Sequence, residues 1–136
     1  MANFEDLKSY LLSNMDAEEK SPRLVRATLK FPDGHSHVTL VSSAEDPEGN
    51  PWVSIDSIVT PIGSADLIRA VRLAGNLVCG GLATMPIGDD EYLVLRHAMP
   101  IAELNGERMN DFIDPFVSLT SGASGLAQEL SSFNTL

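Results

Sequence analysis

Cysteine is almost absent from this chain, and long apolar runs are missing altogether. Cys79 is the only cysteine, which excludes an internal disulfide and any metal site built on several thiolates. We interpret Cys79 as a small buried apolar side chain. No apolar run approaches the roughly 18 residues that a membrane-spanning helix requires. We therefore expect a protein that does not insert into a membrane.

Basic charge is also scarce. Nine Lys and Arg stand against nineteen Asp and Glu, so the net charge is −10, and the nine are scattered along the chain. This charge repels a phosphate backbone and disfavours nucleic-acid binding. A basic or apolar partner fits better, although the charge also fits a role in solubility alone. The first six residues lack the basic and apolar regions of a secretory signal, so we expect a cytoplasmic protein.

The apolar content and length predict one globular domain over residues 1–136, since 43% of the residues are apolar and 21% are charged. Helical and strand periods alternate in the order α-β-β-β-α-β-β-α. This order predicts three helices and five strands. The predicted helices cover about 3–16, 64–79 and 105–130, and the predicted strands about 24–31, 37–41, 52–60, 82–87 and 91–99.

Three local features carry further expectations. Asn3 is a suitable N-cap for the first helix, Ser64 for the second and Asn105 for the last. In the second strand we expect Val38 and Leu40 to face the core, with His37, Thr39 and Val41 facing outward. Pro115, Gly122 and Gly125 weaken the last helix, and the sequence leaves open whether that helix is continuous.

The second helix is apolar around an unusually wide part of its circumference. Its apolar stripe is roughly twice the ~100° that a helix packed only on its own sheet requires. The extra width predicts burial against the last helix or against a second subunit. We favour a homodimer, because two-fold dimers are the commonest assembly. The interface residues that we predict are Ala70, Leu73 and Leu77.

The chain resembles the YbjN-like family of bacterial sensory-transduction regulators, whose fold is similar to that of type III secretion chaperones. The resemblance covers nearly the whole chain and lies in the element order and in the stretches Leu67–Asn76, Tyr92–Arg96, Met99–Ile101, Phe116–Val117 and Ala127–Leu130. It implies an α+β fold with a five-stranded antiparallel sheet and helices packed against it. It also implies a homodimer that binds protein segments or has a regulatory role, without enzymatic activity. The family defines no catalytic residues to transfer.

One face of the predicted sheet mixes aromatic, aliphatic and cationic side chains. Such a mixture suits a binding surface, because Trp, Tyr and Arg dominate interface hot spots. The residues that we assign to this face are Leu24, Arg26, Thr28, Lys30, His37, Val41, Trp52, Ile58, Tyr92, Val94 and Arg96. Among them we predict partner contacts at Trp52, Ile58, Tyr92, Val94 and Arg96. The alternative is a semi-polar solvent surface without a partner.

No motif in the sequence predicts catalysis. His35 and His37 have the spacing of two ligands on one strand face, but the sequence shows no third ligand. Ser124 lies in Gly122–Leu126, which falls one glycine short of a nucleophile elbow and follows no strand. We therefore predict a non-enzymatic protein with no metal or cofactor.

Two functional classes remain at this point. The first is a dimeric, chaperone-like module that holds partner segments on its sheet and helix surfaces. The second is a small-molecule-sensing regulator with a pocket between sheet and helices. A co-purifying polypeptide would favour the first class, and thermal stabilisation by a metabolite would favour the second.

Overall fold

The fold is built on one antiparallel sheet whose helices all pack on a single face. The computed structural model describes residues 3–77, 79–104 and 110–134. The helices are α1 (Phe4–Asn14), α2 (Leu67–Ala74) and α3 (Asn110–Asn134). The strands are β1 (Asp16–Ser21), β2 (Leu24–Lys30), β3 (Ser36–Glu45), β4 (Pro51–Pro61), β5 (Gly81–Ile87) and β6 (Asp90–Pro100). The described strands form the order β1-β2-β3-β4-β6-β5, so the predicted α+β antiparallel class is confirmed.

The prediction of five strands is wrong, because the sheet has a sixth strand, β1. This strand pairs with β2 through Asp16 opposite Thr28 and Glu18 opposite Arg26. Its sequence, Asp-Ala-Glu-Glu-Lys-Ser, lacks the apolar alternation that identifies a half-buried strand. An edge strand needs little apolar character, and its charges oppose pairing with another chain. The strand is therefore defined by its partner β2 more than by its own side chains.

Helix α1 begins where the sequence predicts. The Asn3 side chain accepts from the Asp6 backbone N–H at 2.9 Å, and the Asp6 side chain accepts from the Asn3 N–H at 3.3 Å. This reciprocal arrangement is a capping box. The helix is fastened to β1 by Lys8, whose Nζ donates to Glu19 at 2.9 Å and to Glu5 at 3.0 Å. Hydrogen bonds to these two carboxylates raise the pKa of Lys8.

Helix α2 is shorter than predicted, with eight residues from Leu67 to Ala74. Ser64 lies in a 3-10 turn, Ile62–Ser64, and does not cap the helix. The cap is Asp66, whose side chain accepts from the Arg69 N–H at 3.1 Å. A carboxylate at this position also interacts favourably with the positive end of the helix dipole. The predicted N-cap of the last helix, Asn105, lies outside the described residues.

Helix α3 is continuous from Asn110 to Asn134 and runs through Pro115, Gly122 and Gly125. Proline removes one backbone hydrogen bond, and glycine costs conformational entropy. Burial offsets these costs, since Phe112, Phe116 and Leu119 are fully buried in the core. Tertiary packing therefore keeps α3 continuous despite the low helix propensity of its proline and glycines.

The side chains of the sheet divide into an inner face, which the helices cover, and an outer face. Helix α1 lies over β1, α3 over β3, β4 and β6, and α2 over β5 and beside α3. The odd-numbered residues of β2, β3 and β6 point to the inner face and join the core. The principal strand members of that core are Val25, Ala27, Val41, Val53, Ile55, Leu93 and Leu95. The even-numbered residues of the same strands form the outer face.

The predicted orientation of β3 is wrong. Thr39 and Val41 are fully buried on the inner face, whereas Val38 and Leu40 line a cavity on the outer face. The cause is a chain of hydroxyl hydrogen bonds that makes a polar residue acceptable in the core. The Thr39 hydroxyl donates to Ser57 Oγ at 2.8 Å and lies 2.8 Å from Thr120 Oγ1 on α3. Periodicity alone favoured the larger aliphatic residues for the core.

Candidate functional site

The five residues predicted to bind a partner all lie on the outer face. Ile58 is opposite Val94 in the pairing of β4 with β6, and Trp52 is opposite Pro100 near the end of the same pair. Tyr92 pairs with Met85 of β5, and Arg96 pairs with Gly81. Whether these residues contact a partner stays a prediction. His37 and Val41 were also assigned to this face, and that assignment is wrong because β3 has the opposite orientation.

The outer face is concave and contains an apolar cavity of ≈ 390 Å³ that opens to solvent. Its lining comes from β1 at one edge of the sheet, from the central strands and from β5 at the other edge: Lys20, Leu24, Arg26, Val38, Leu40, Ile58 and Ile87. Side chains from both edges meet only if the twisted sheet curls toward its outer face. Val94 is fully buried on this face, although the described helices contact the opposite one.

Sequence reasoning placed three of these lining residues, Leu24, Arg26 and Ile58, on the outer face. Val38 and Leu40 were missed because the orientation of β3 was wrong. Lys20 was missed because β1 was not recognised as a strand. Ile87 could not be placed on the cavity from sequence, since only the curvature of the sheet brings β5 near β2.

Trp52 is held by its own loop. Its indole Nε1 donates to Asp46 Oδ2 at 3.1 Å, and Asp46 also accepts from the Asn50 backbone N–H at 2.9 Å. Hydrogen bonds from the backbone and side chain of Asn50, with that of Trp52, lower the pKa of Asp46. The indole is therefore fixed in position before any partner arrives, which reduces the entropy cost of using it in binding.

Arg96 contributes to a charge pair in the middle of the outer face. Its Nε donates to Asp56 Oδ1, and Ser54 Oγ donates to the other Asp56 oxygen at 3.2 Å. The Asp56 side chain is only 3% exposed, whereas that of Arg96 is 42% exposed. A buried carboxylate requires a partner of this kind. The Nε atom of Arg96 is thus committed to the fold, while part of the side chain stays exposed.

Two residues of the β2–β3 turn and a serine from distant α3 form a second polar cluster. Ser124 Oγ lies 3.0 Å from His35 Nε2, and His35 Nδ1 contacts Asp33 Oδ1. The His35 backbone N–H also donates to Asp33 at 3.1 Å. This backbone hydrogen bond, followed by the side-chain contact, lowers the pKa of Asp33. The His35 ring also stacks on Phe31, with 4.5 Å between the ring centroids.

The order of serine, histidine and aspartate is that of an acyl-transfer triad, but the surroundings do not match that chemistry. Ser124 is 6% exposed and lies in the interior of α3, where the helix uses the neighbouring backbone N–H groups. An oxyanion hole requires free donors, and a nucleophile requires access for the substrate. The cluster therefore fits a structural clip between the hairpin and α3. Sequence reasoning missed it because 89 positions separate His35 from Ser124.

His37 lies on the inner face beside this clip. Burial lowers the pKa of His37 from its ordinary value of 6.5, and the ring therefore favours its neutral form. Its Nε2 atom is buried without a hydrogen-bond partner in the described part of the chain. No group of three or more His, Cys, Asp or Glu suited to a metal ion occurs among the described residues.

The residues predicted for a dimer interface pack against their own chain. Ala70 is fully buried, so it has no surface left for a partner, and Leu73 and Leu77 are half-buried against the core. The exposed apolar residues of α2 lie elsewhere on its circumference. Leu67 is 47% exposed, Ile68 68% and Val71 64%. This stripe, Leu67, Ile68 and Val71, is the apolar surface that the chain leaves uncovered on α2.

The stripe lies at the same edge of the molecule as β5, because α2 packs over β5. Strand β5 carries no charged residue, and within the described residues it pairs with β6 alone. Ile87 and Asp90 flank a two-residue turn, so Leu82, Thr84 and Pro86 direct their backbone polar groups away from β6. An uncharged free edge is a site for pairing with another strand. The opposite edge, β1, is protected by charge.

No protein-family model, curated protein or solved structure matches the chain. Within the described residues, no helix combines the length and the apolar character that crossing a membrane would require. The case for a function therefore depends on the geometry of the chain itself.

Proposed function

We propose that the protein is a non-enzymatic binding module that holds a segment of a partner protein on the outer face of its sheet. The observation that carries the proposal is the concave outer face, which no described helix covers and which contains the apolar cavity. A contact there gains affinity by burying aliphatic surface. The role agrees with the one implied by the resemblance to YbjN-like proteins and secretion chaperones, and that resemblance stays a prediction.

Ile58→Asp tests the outer face. We expect this variant, immobilised as a bait, to retain about tenfold less partner from native lysate than the wild type, because an apolar contact becomes a desolvated charge. Tyr92→Ser on the same face should also reduce capture. The measurement is quantitative mass spectrometry of the retained polypeptides, with circular dichroism to show that each bait is folded.

Val117→Asp is the matched control, since it places the same charge at an exposed apolar position of α3 on the other side of the molecule. Its capture should stay within about twofold of the wild type. Equal loss in Val117→Asp and Ile58→Asp, or no loss in the folded Ile58→Asp, would contradict the outer-face proposal.

We also propose that the module is a homodimer joined at the β5 edge. Two copies related by a two-fold axis would pair their β5 strands antiparallel around Thr84. The N–H of Leu82 would then bond the carbonyl of Pro86 in the other copy, so the missing N–H of Pro86 costs one bond per strand. The α2 stripes would approach each other on the same side of the joined sheets. The free β5 edge and the α2 stripe together support a homodimer better than the α2 stripe does alone.

Ile68→Glu should convert the dimer to a monomer, because two like charges would meet in an apolar contact. Sedimentation equilibrium measures the change as a halving of the mass. Leu12→Glu is the control, since Leu12 is 40% exposed on α1 at the far edge of the molecule. A wild-type protein that sediments as a monomer across the accessible concentration range would remove the dimer proposal.

A small-molecule regulator is the second candidate function. Its support is the volume of the outer-face cavity, ≈ 390 Å³, which falls within the range of about 300–1,000 Å³ typical of ligand pockets. The cavity lies on the outer face, whereas the sequence-based hypothesis placed it between sheet and helices. Thermal stabilisation by a metabolite, abolished by Ile58→Asp, would favour this function over the first.

A further inference from the structure

We propose that the segment bound in the outer-face cavity carries an acidic residue two positions from an aliphatic one. This inference rests on the proposed function and specifies the chemistry of its partner. The cavity wall is aliphatic on most sides, and its two charged lining residues, Lys20 and Arg26, are both cations from the β1 and β2 side. An apolar group beside a carboxylate is the complement of that lining.

The charge of the outer face differs from that of the whole molecule. The chain has nineteen acidic and nine basic residues. On the outer face the strand pairings and the cavity lining place four of each, so the balance there is neutral. The acidic ones are Asp16, Glu18, Asp56 and Asp90, and the basic ones are Lys20, Lys30, Arg26 and Arg96. A chain that is strongly acidic elsewhere therefore has a neutral outer face, and the charged residues that line the cavity on that face are two cations, Lys20 and Arg26.

Of the two cations that line the cavity, Arg26 is the one that remains available to a partner. Lys20 Nζ is held by Glu18 at 3.1 Å, and Arg96 is held by Asp56. Arg26 has no ion pair within 4.0 Å and no hydrogen bond among the described residues, although Glu18 is its neighbour across the β1–β2 pair. A guanidinium in this state can bind a carboxylate through two hydrogen bonds.

The spacing within the partner follows from the geometry of β2. Leu24 and Arg26 are two residues apart and point to the same face, with Leu40 opposite Arg26 on β3. An extended segment also repeats its side-chain direction every two residues. An aliphatic side chain in the cavity therefore brings a residue two positions away toward Arg26. Asp or Glu at that position forms the ion pair.

The test is selection from a random dodecapeptide library displayed on phage, with the folded full-length protein as bait. We expect the recovered peptides to be enriched in Leu, Ile or Val with Asp or Glu two positions away. Arg26→Gln should weaken the binding of a recovered peptide about tenfold, because a charge-assisted hydrogen bond is lost. Fluorescence anisotropy of the labelled peptide measures the affinity.

Lys30→Gln is the matched control, because Lys30 lies on the same strand and the same face but outside the cavity lining. It should leave the affinity within about twofold of the wild type. Aliphatic peptides without an acidic residue, whose affinity Arg26→Gln does not change, would overturn this inference and leave the outer-face proposal intact. A library that yields no peptide sensitive to Ile58→Asp would overturn both.

Discussion

Replacing Gly80 by alanine is expected to destabilise the protein by about 3 kcal/mol, the sum of backbone strain and overpacking. Gly80 has a φ of 88°, in the left-handed region that residues with a Cβ rarely adopt. An added Cβ would overlap Leu119 Cδ1, and it would lie 3.1 Å from Leu95 Cγ and 3.2 Å from the Arg96 carbonyl oxygen. The residue joins α2 to β5 at a point where α3 and β6 leave no space.

Thermal and urea denaturation followed by circular dichroism measure this loss, which corresponds to a fall in Tm of roughly 10 °C. Gly81→Ala is the control, since a Cβ at Gly81 meets nothing within 4 Å and its φ lies outside the left-handed region. That variant should stay within about 0.5 kcal/mol of the wild type. Equal stability of the two variants would contradict the tight packing of this connection.

Arg96→Met is expected to cost about 2 kcal/mol, because it leaves the Asp56 carboxylate buried without its cation. Loss of one partner from a fully buried pair costs about 3–5 kcal/mol, and the partial exposure of Arg96 places this pair below that range. Methionine preserves most of the apolar stem of the arginine. The urea midpoint, compared at constant m-value, measures the change.

Adding Asp56→Asn to Arg96→Met should recover at least about half of the lost stability, because the double variant no longer buries an unpaired charge. Lys30→Met is the control for removing a cation from an outer-face position that lacks a buried partner. A cost for Arg96→Met no larger than that for Lys30→Met would show that the Asp56 pair does not stabilise the fold.

Helix α1 and strand β2 could be predicted because their signals are local. The capping box of Asn3 and Asp6 is complete within four residues, and the alternation of β2 identifies Val25 and Ala27 as core residues. Strand β1 could not be predicted in this way. The strand forms because it pairs with β2, and its charged side chains suit an exposed edge of the sheet.

The candidate site was predictable in part. The alternation of β4 and β6 predicts that Trp52, Ile58 and Arg96 share one face of the sheet. In the structure all three lie on the outer face. The depth of the cavity was not predictable, because it depends on the curvature that brings Ile87 near β2. The predicted orientation of β3 is wrong because the prediction uses hydrophobicity alone. The hydrogen bond between Thr39 and Thr120 of α3, which makes Thr39 acceptable in the core, is not visible in the sequence.

The Asp33–His35–Ser124 clip shows a further limit of sequence reasoning. Asp33 and His35 are neighbours in a turn, but their serine partner comes from the opposite end of the chain. Short sequence motifs do not include a pair of residues 89 positions apart, and only the fold brings Ser124 to His35. Ser124 lies in a helix interior without free backbone N–H donors, so the resemblance of the cluster to a triad does not imply catalysis.

The hydroxyl chain of Ser57, Thr39 and Thr120 has a consequence for how α3 is seated. Next to Thr120 this helix presents two small residues to the core, Gly122 and Ala123, which offer little side-chain bulk to oppose a shift along the sheet. Dispersion contacts change gradually with such a shift, whereas a hydrogen bond at 2.8 Å is lost within a fraction of a helical turn. The hydrogen bonds among the three hydroxyls therefore fix the axial position of α3 on the sheet.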